Sequence, residues 1–187
     1  LMVYPTGPGE ARRIDHGELE TYSDATWIGD GKSILVCGSE PGKASHCYVR
    51  SVDGGNLRPV TPEGAVKGIV SPDGRFAVVR RVTGEFLMCS LEGDSAHPIP
   101  FLGTNDRLSR WSPDGKSIWA FKANELPTRI ERIDPATGHR EPLLEITPQQ
   151  KSGFFTVMSV SLADDPRAHA YTSWEYSSRL FLIEGAK

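Results

Sequence analysis

Apolar residues along the chain come in short runs that alternate with polar positions, and Gly, Pro, Asp and Ser gather between the runs. A period of two, broken at close spacing by turn formers, predicts strands joined by tight turns; almost nothing shows the 3.6-residue period of a helix. The runs fall into sets of four: 24–28, 33–38, 46–52 and 56–60; then 67–70, 75–82, 85–91 and 96–101; then 108–111, 117–122, 129–133 and 140–146. A fourth set, 155–161, 168–173 and 178–183, lacks its last strand. Ahead of them all stand two strand-like pieces, 2–4 and 11–15, which read as the last two strands of a preceding sheet.

The turns between the first two strands of each set repeat in sequence. Ser71-Pro72-Asp73-Gly74-Arg75 returns as Ser112-Pro113-Asp114-Gly115-Lys116, and a worn copy, Ile28-Gly29-Asp30-Gly31-Lys32, precedes them. From Gly31 to Gly74 is 43 residues and from Gly74 to Gly115 is 41, the period of one small antiparallel sheet per repeat rather than of a helical solenoid. The motif is a turn by its chemistry. Pro72 and Pro113 preset φ, Asp30, Asp73 and Asp114 bond to backbone a residue or two on, and Gly31, Gly74 and Gly115 take the positive φ that a Cβ would penalise. The expected fold is therefore all-β: a β-propeller of about four antiparallel blades over 24–60, 67–101, 107–146 and 155–183, within a single domain spanning 1–187. The runs 24–28, 67–70, 108–111 and 155–161 are expected innermost. Residues 1–15 are expected to close the array, with 11–15 beside 178–183, either within one chain as a four-bladed ring or between two copies as a larger one. Closure of either kind removes the open edges that invite aggregation, and the two-copy version, a homodimer, is favoured.

Composition narrows the function classes. A net charge of −3 with acidic and basic residues interleaved gives no nucleic-acid footprint. No run approaches 18 apolar residues, so no membrane segment is expected, and the opening on Leu1 rather than Met suggests a trimmed piece. Gly31-Lys32-Ser33 and Gly115-Lys116-Ser117 resemble the tail of a phosphate loop, but the required upstream Gly is Thr26 or Arg110, and strands follow where a helix should. The five histidines never fall at ligand spacing, and Asp164-Asp165 reads as a solvated turn rather than a Ca²⁺ site. No Gly-x-Ser-x-Gly elbow occurs. No catalytic residue, metal or cofactor is therefore expected. Cys37 and Cys47 should lie opposite each other on one hairpin, where a disulfide is sterically open, though free thiols are favoured. Trp27 and Trp111 hold equivalent repeat positions and read as core packing. Arg75, Arg80, Arg81 and Lys67 form a modest positive cluster that reads as a solvated face.

At its repeated motif the chain resembles the Ser-Pro-Asp-Gly family of β-propeller repeats, WD-like and TolB-type, also found in propeller-containing peptidases; the match runs from Asp24 to Ile183. The tail, Tyr176-Ser177-Ser178-Arg179-Leu180-Phe181 onward, looks like the C-termini of bacterial Ser/Thr protein kinases whose propeller follows a transmembrane helix. That likeness implies the extracytoplasmic sensing or docking part of a larger signalling protein. No kinase motif occurs in the chain itself. The expected function is non-catalytic binding of a protein or small ligand through the loops 40–45, 103–107 and 122–128. The alternative is an accessory or gating propeller of a peptidase or carbohydrate-active enzyme; a hydrolase or lyase site in the channel is the weaker third reading.

Overall fold

The computed structural model describes residues 1–147 and 154–176, which form sixteen strands and no helix. β1 (Met2–Val3) and β2 (Arg12–Arg13) pair with each other. The next twelve strands make three four-stranded antiparallel sheets, each paired in chain order. The first sheet holds β3 (Thr21–Trp27), β4 (Ser33–Ser39), β5 (His46–Ser51) and β6 (Arg58–Pro59). The second holds β7 (Ala65–Val70), β8 (Phe76–Arg81), β9 (Phe86–Ser90) and β10 (Ala96–Pro98). The third holds β11 (Asp106–Trp111), β12 (Ile118–Lys122), β13 (Thr128–Ile133) and β14 (Arg140–Ile146). β15 (Phe154–Leu162) and β16 (His169–Tyr176) pair as the start of a fourth. The tail motif and the expected strand 178–183, and with it closure against 11–15, lie outside the described residues.

Two outer strands are shorter than the apolar pattern predicts. β6 covers only Arg58–Pro59 and β10 only Ala96–Pro98; one further backbone bond extends each pairing, from the Val60 amide to the Cys47 carbonyl at 3.0 Å and from the Ile99 amide to the Phe86 carbonyl at 2.9 Å, before the chain leaves the sheet.

The first strand of each sheet packs on the first strand of the next: β3 on β7, β7 on β11, β11 on β15. Polar bonds lock these seams. Ser23 Oγ donates to the Val66 carbonyl at 2.6 Å, the Gly68 amide to Asp24 Oδ2 at 3.1 Å, and Ser109 Oγ to the Val160 carbonyl at 2.7 Å. Successive sheets are thus set face to face about their inner strands, the radial order of a propeller.

Between faces lie separate apolar clusters, and the second strand of each sheet serves two of them. On β8, Ala77 and Val79 pack toward the first sheet and Val78 toward the third. On β12, Ile118 and Ala120 pack toward the second sheet while Trp119 and Phe121 pack toward the fourth. Both faces being buried, these strands read as unbroken apolar runs rather than strict alternation.

The repeated turns share one set of bonds. Ser71 Oγ donates to Asp73 Oδ1 at 2.6 Å and accepts from the Phe76 amide at 3.0 Å, while the Arg75 amide donates to Asp73 Oδ1 at 3.1 Å. Ser112, Asp114, Lys116 and Ser117 repeat these contacts. Asp30 caps its own turn through the Lys32 and Ser33 amides, both at 2.8 Å. Gly31, Gly74 and Gly115 have φ of 64°, 72° and 69°.

Two expectations are corrected here. Cys37 stands opposite Cys47, and the two are joined in a disulfide rather than left as free thiols; both side chains are sealed in the cluster between the first two sheets, where the ladder sets them directly across from each other. Trp111 is buried, its Nε1 donating to the Ile69 carbonyl of the preceding sheet at 3.4 Å, but Trp27, at the equivalent position, is 49% exposed. The reason is geometric: the indole reaches for a preceding sheet, and before β3 it finds only β1 and the segment around Ile14.

Candidate functional site

The three loops expected to carry recognition lie at one end of the array, opposite the Ser-Pro-Asp-Gly turns. Loop 103–107 enters β11 and touches the end of β12, the Ala123 amide donating to the Asn105 carbonyl at 2.8 Å. Thr156 Oγ1 donates to Asn124 Oδ1 at 3.0 Å, tying loop 122–128 to β15. At this end a cavity of about 320 Å³ opens between the inner strands β7, β11 and β15, at the lower limit of the size that holds small ligands. Phe86 and Phe121 floor it, both buried, and Met158, 41% exposed, stands at its mouth.

Lys67, Arg80 and Arg107 bring three cations to this cavity. Lys67 stands directly opposite Arg80 in the β7–β8 ladder, an arrangement that costs stability because like charges face each other. Arg107 holds the position in β11 that Lys67 holds in β7, since it stands opposite Phe121 as Lys67 stands opposite Arg80. Among the described residues none of the three makes an ion pair; Arg80 Nη2 has the Thr104 carbonyl at 3.5 Å, and Arg107 Nη1 has the Thr104 and Asp106 carbonyls at 3.0 and 3.1 Å. Arg80 Nε is buried with no partner. Burial, and then the charge of Arg80, pull the Arg107 guanidinium below its usual value.

The carboxylate that lines the cavity is already spent. Asp106, buried at the start of β11, accepts from Arg140 Nη1 at 3.1 Å and Nη2 at 2.9 Å, and from the Gly103 amide at 2.7 Å. Arg140 also holds Glu131 at 2.7 Å and the Phe101 carbonyl at 3.1 Å. Two of the three serine hydroxyls lining the cavity are bonded as well: Ser109 to Val160, and Ser159 to Thr172 at 2.7 Å. What stays available is positive charge beside an apolar floor, which suits binding of an anion better than acid–base work.

The other hollows differ in this respect. One of about 410 Å³ at the outer side of the third sheet is lined by Asp114, Arg132, Asp134, His139 and Glu141. There Asp114 is held by Ser112 and the Lys116 amide, both lowering its pKa, and Asp134 by the Thr137 and Ala136 amides with the same effect. Arg132 and His139 both face Glu141. A broad hollow beside the first sheet takes in loop 40–45, but Glu40 pairs with Lys43 and Arg50 donates to the Asp15 carbonyl.

The cluster anticipated from sequence is divided by the fold. Lys67 and Arg80 reach the cavity, whereas Arg75 lies over the Phe76 ring and Arg81 pairs with Glu85 at 3.0 Å. Asp164 and Asp165 are bound to Arg110 and Arg167 at 2.9 and 2.6 Å, and no group of three metal-ligating side chains occurs among the described residues. Arg107 and its relation to Lys67 went unseen in the sequence. One signal could have found the site: with the turn glycines superposed, Arg80 stands where the other repeats have Cys37 and Phe121, both fully buried.

No protein-family model matches the sequence, and no curated protein matches it. Among solved structures the fold is similar to TolB from Acinetobacter baumannii, with a TM-score of 0.68 and 19% identity over 91% of this chain and 42% of that one. It is also similar to a putative TolB from Agrobacterium tumefaciens, with a TM-score of 0.60 and 18% identity over 87% of this chain and 57% of that one. The chain thus spans about half the length of these structures. At such identities the likeness speaks for architecture alone, and with the radial sheets it gives this chain a partial β-propeller fold similar to that of TolB.

Proposed function

We propose that the chain is a non-catalytic binding module, the C-terminal sensing or docking part of a larger signalling protein such as a kinase, taking a protein or small ligand at the loop-bearing end of its sheets. The observation that carries this reading is the cavity between β7, β11 and β15, where Asp106, Ser109 and Ser159 are committed to structural bonds while none of the three cations has a carboxylate partner among the described residues. The Cys37–Cys47 disulfide favours an oxidising, extracytoplasmic setting for it. Ring closure by a second copy of the chain accounts for the exposed Trp27 and for the share of a TolB-like structure that one copy covers.

The test is a screen of the purified chain against ester, peptide, glycoside and phosphoester substrates. No turnover is expected. Reproducible turnover that disappears on changing Asp106 or Arg107 would replace this reading with that of an enzyme.

A further inference from the structure

We propose that the cavity formed by β7, β11 and β15 is a site for a small amphipathic oxyanion, a carboxylate or phosphate head carried on an apolar body, with Lys67, Arg80 and Arg107 holding the head. This rests on the reading of the chain as a binding module and names the ligand class of that same cavity.

Four observations converge. First, the three cations face one cavity without an ion pair among the described residues, although the chain has more carboxylates than cations. Elsewhere Arg81, Arg110, Arg129, Arg140 and Arg167 each have a carboxylate partner within 3.3 Å; other described cations such as Arg13, Arg58 and Arg75 also lack one, so what sets Lys67, Arg80 and Arg107 apart is their convergence on a single cavity. Second, the nearby Asp106 is kept from neutralising the site by Arg140, which takes both of its oxygens. Third, Arg80 replaces a buried apolar residue of the other repeats, so the seam between the second and third sheets is opened where the first and third repeats seal theirs with Cys37 and Phe121. A charge at a packing position, set opposite a like charge, breaks the local rules in the way functional positions do. Fourth, the guanidiniums retain free N–H donors and the floor is aromatic, so a head with two or more oxygens is matched by forked donors and its body by apolar contact.

The volume sets the scale. About 320 Å³ admits a ring or a short chain with its head group, but not a folded partner. Phosphate and carboxylate share the chemistry that the donors read, and the two are separated by experiment.

Titration calorimetry on the full chain at low ionic strength, with phenyl phosphate, 4-phenylbutyrate and the uncharged 4-phenylbutyramide as probes, tests the proposal. At least one of the anions should bind saturably and the amide should not, with affinity falling as salt rises. Lys67→Gln and Arg107→Gln should each weaken the binding about tenfold or more, while Arg75→Gln, which removes the same charge from outside the cavity, should leave it unchanged. Lys67 is exposed and faces a like charge, so its variant should melt no lower than the native chain and serve even where Arg107→Gln does not fold. Preference for one anion identifies the source of the head group. Absence of binding by either anion at millimolar concentration, equal binding of the amide, or equal losses in Arg75→Gln would overturn the site. Hydrolysis of phenyl phosphate during the titration would leave the anion site standing and overturn the non-catalytic reading instead.

Discussion

Arg140 is the residue whose removal should hurt the fold most for a single polar change. Its guanidinium spans Asp106 at the start of β11, Glu131 on β13 and the Phe101 carbonyl in the connection from the second sheet, so it ties the third sheet to the loop that feeds it. The Asp106 side chain is only 4% exposed. In Arg140→Met the stem packing is largely kept, but Asp106 loses two of its three hydrogen bonds and stays buried as an unpaired charge. Breaking a buried pair in this way costs about 3–5 kcal/mol, which for a chain of this size lowers the melting temperature by roughly 6–20 °C. Urea unfolding at unchanged m-value is the assay, with Arg129→Met as the reference. Arg129 pairs with Glu145 at 3.3 Å with both side chains more than half exposed, so its loss should stay within about 1 kcal/mol. A cycle with Asp106→Asn isolates the charge: once the carboxylate is an amide, Arg140→Met should cost about 2 kcal/mol less. An Arg140→Met chain within about 1 kcal/mol of the native one, or a cycle without coupling, would show that Asp106 does not depend on this guanidinium.

Turn glycines should rank by what a side chain would meet. Gly74→Val places Cβ 3.1 Å from Ile28 Cγ2 at φ 72°, against 3.7 Å from Pro72 Cδ for Gly115→Val at φ 69°, so thermal melts should show both losing about 2 kcal/mol or more, Gly74→Val the larger loss, and Asp73→Ala only about 1 kcal/mol. Cys89 is buried and its thiol is pushed up to about 11, so iodoacetamide at pH 8 should label no cysteine in the folded chain, one after unfolding and three after unfolding with reductant; a label on the folded chain would refute the burial. If a second copy closes the ring, sedimentation at micromolar concentration should show a dimer that Trp27→Ser dissociates; a monomer at every concentration rejects the two-copy closure.

Much of the architecture was legible because the turns carry it. A Ser, an Asp and a Gly in fixed order have one set of bonds to make, and the same bonds recur around Asp73 and Asp114. Strand ends were less so, since the outer strands β6 and β10 leave their sheets within a residue or so of Pro59 and Pro98, short of where the apolar pattern would carry them. The fate of Trp27 was hidden for a different reason: equivalence to Trp111 in the repeat says where the indole points, but not whether a sheet stands there to receive it. The cysteines showed the limit of register, which placed Cys37 opposite Cys47 without stating whether the sulfurs join.

The candidate site was hidden because it is built across repeats and not within one. Lys67 and Arg80 are 13 residues apart and meet by cross-strand pairing, while Arg107 joins them from the next sheet through a loop of its own. A local reading sees Arg80-Arg81 and Arg75 as one positive stretch, yet alternation sends Arg81 to Glu85 and Arg80 inward. The same alternation explains why the inward position is informative. On β4 and β12 it is filled by Cys37 and Phe121, which the sheet packing needs, and on β8 that packing is given up for a guanidinium with a buried, unpartnered Nε. A fold that repeats its scaffold so closely has little structural reason to break it there, and the break falls where an anion would find three cations and an apolar floor.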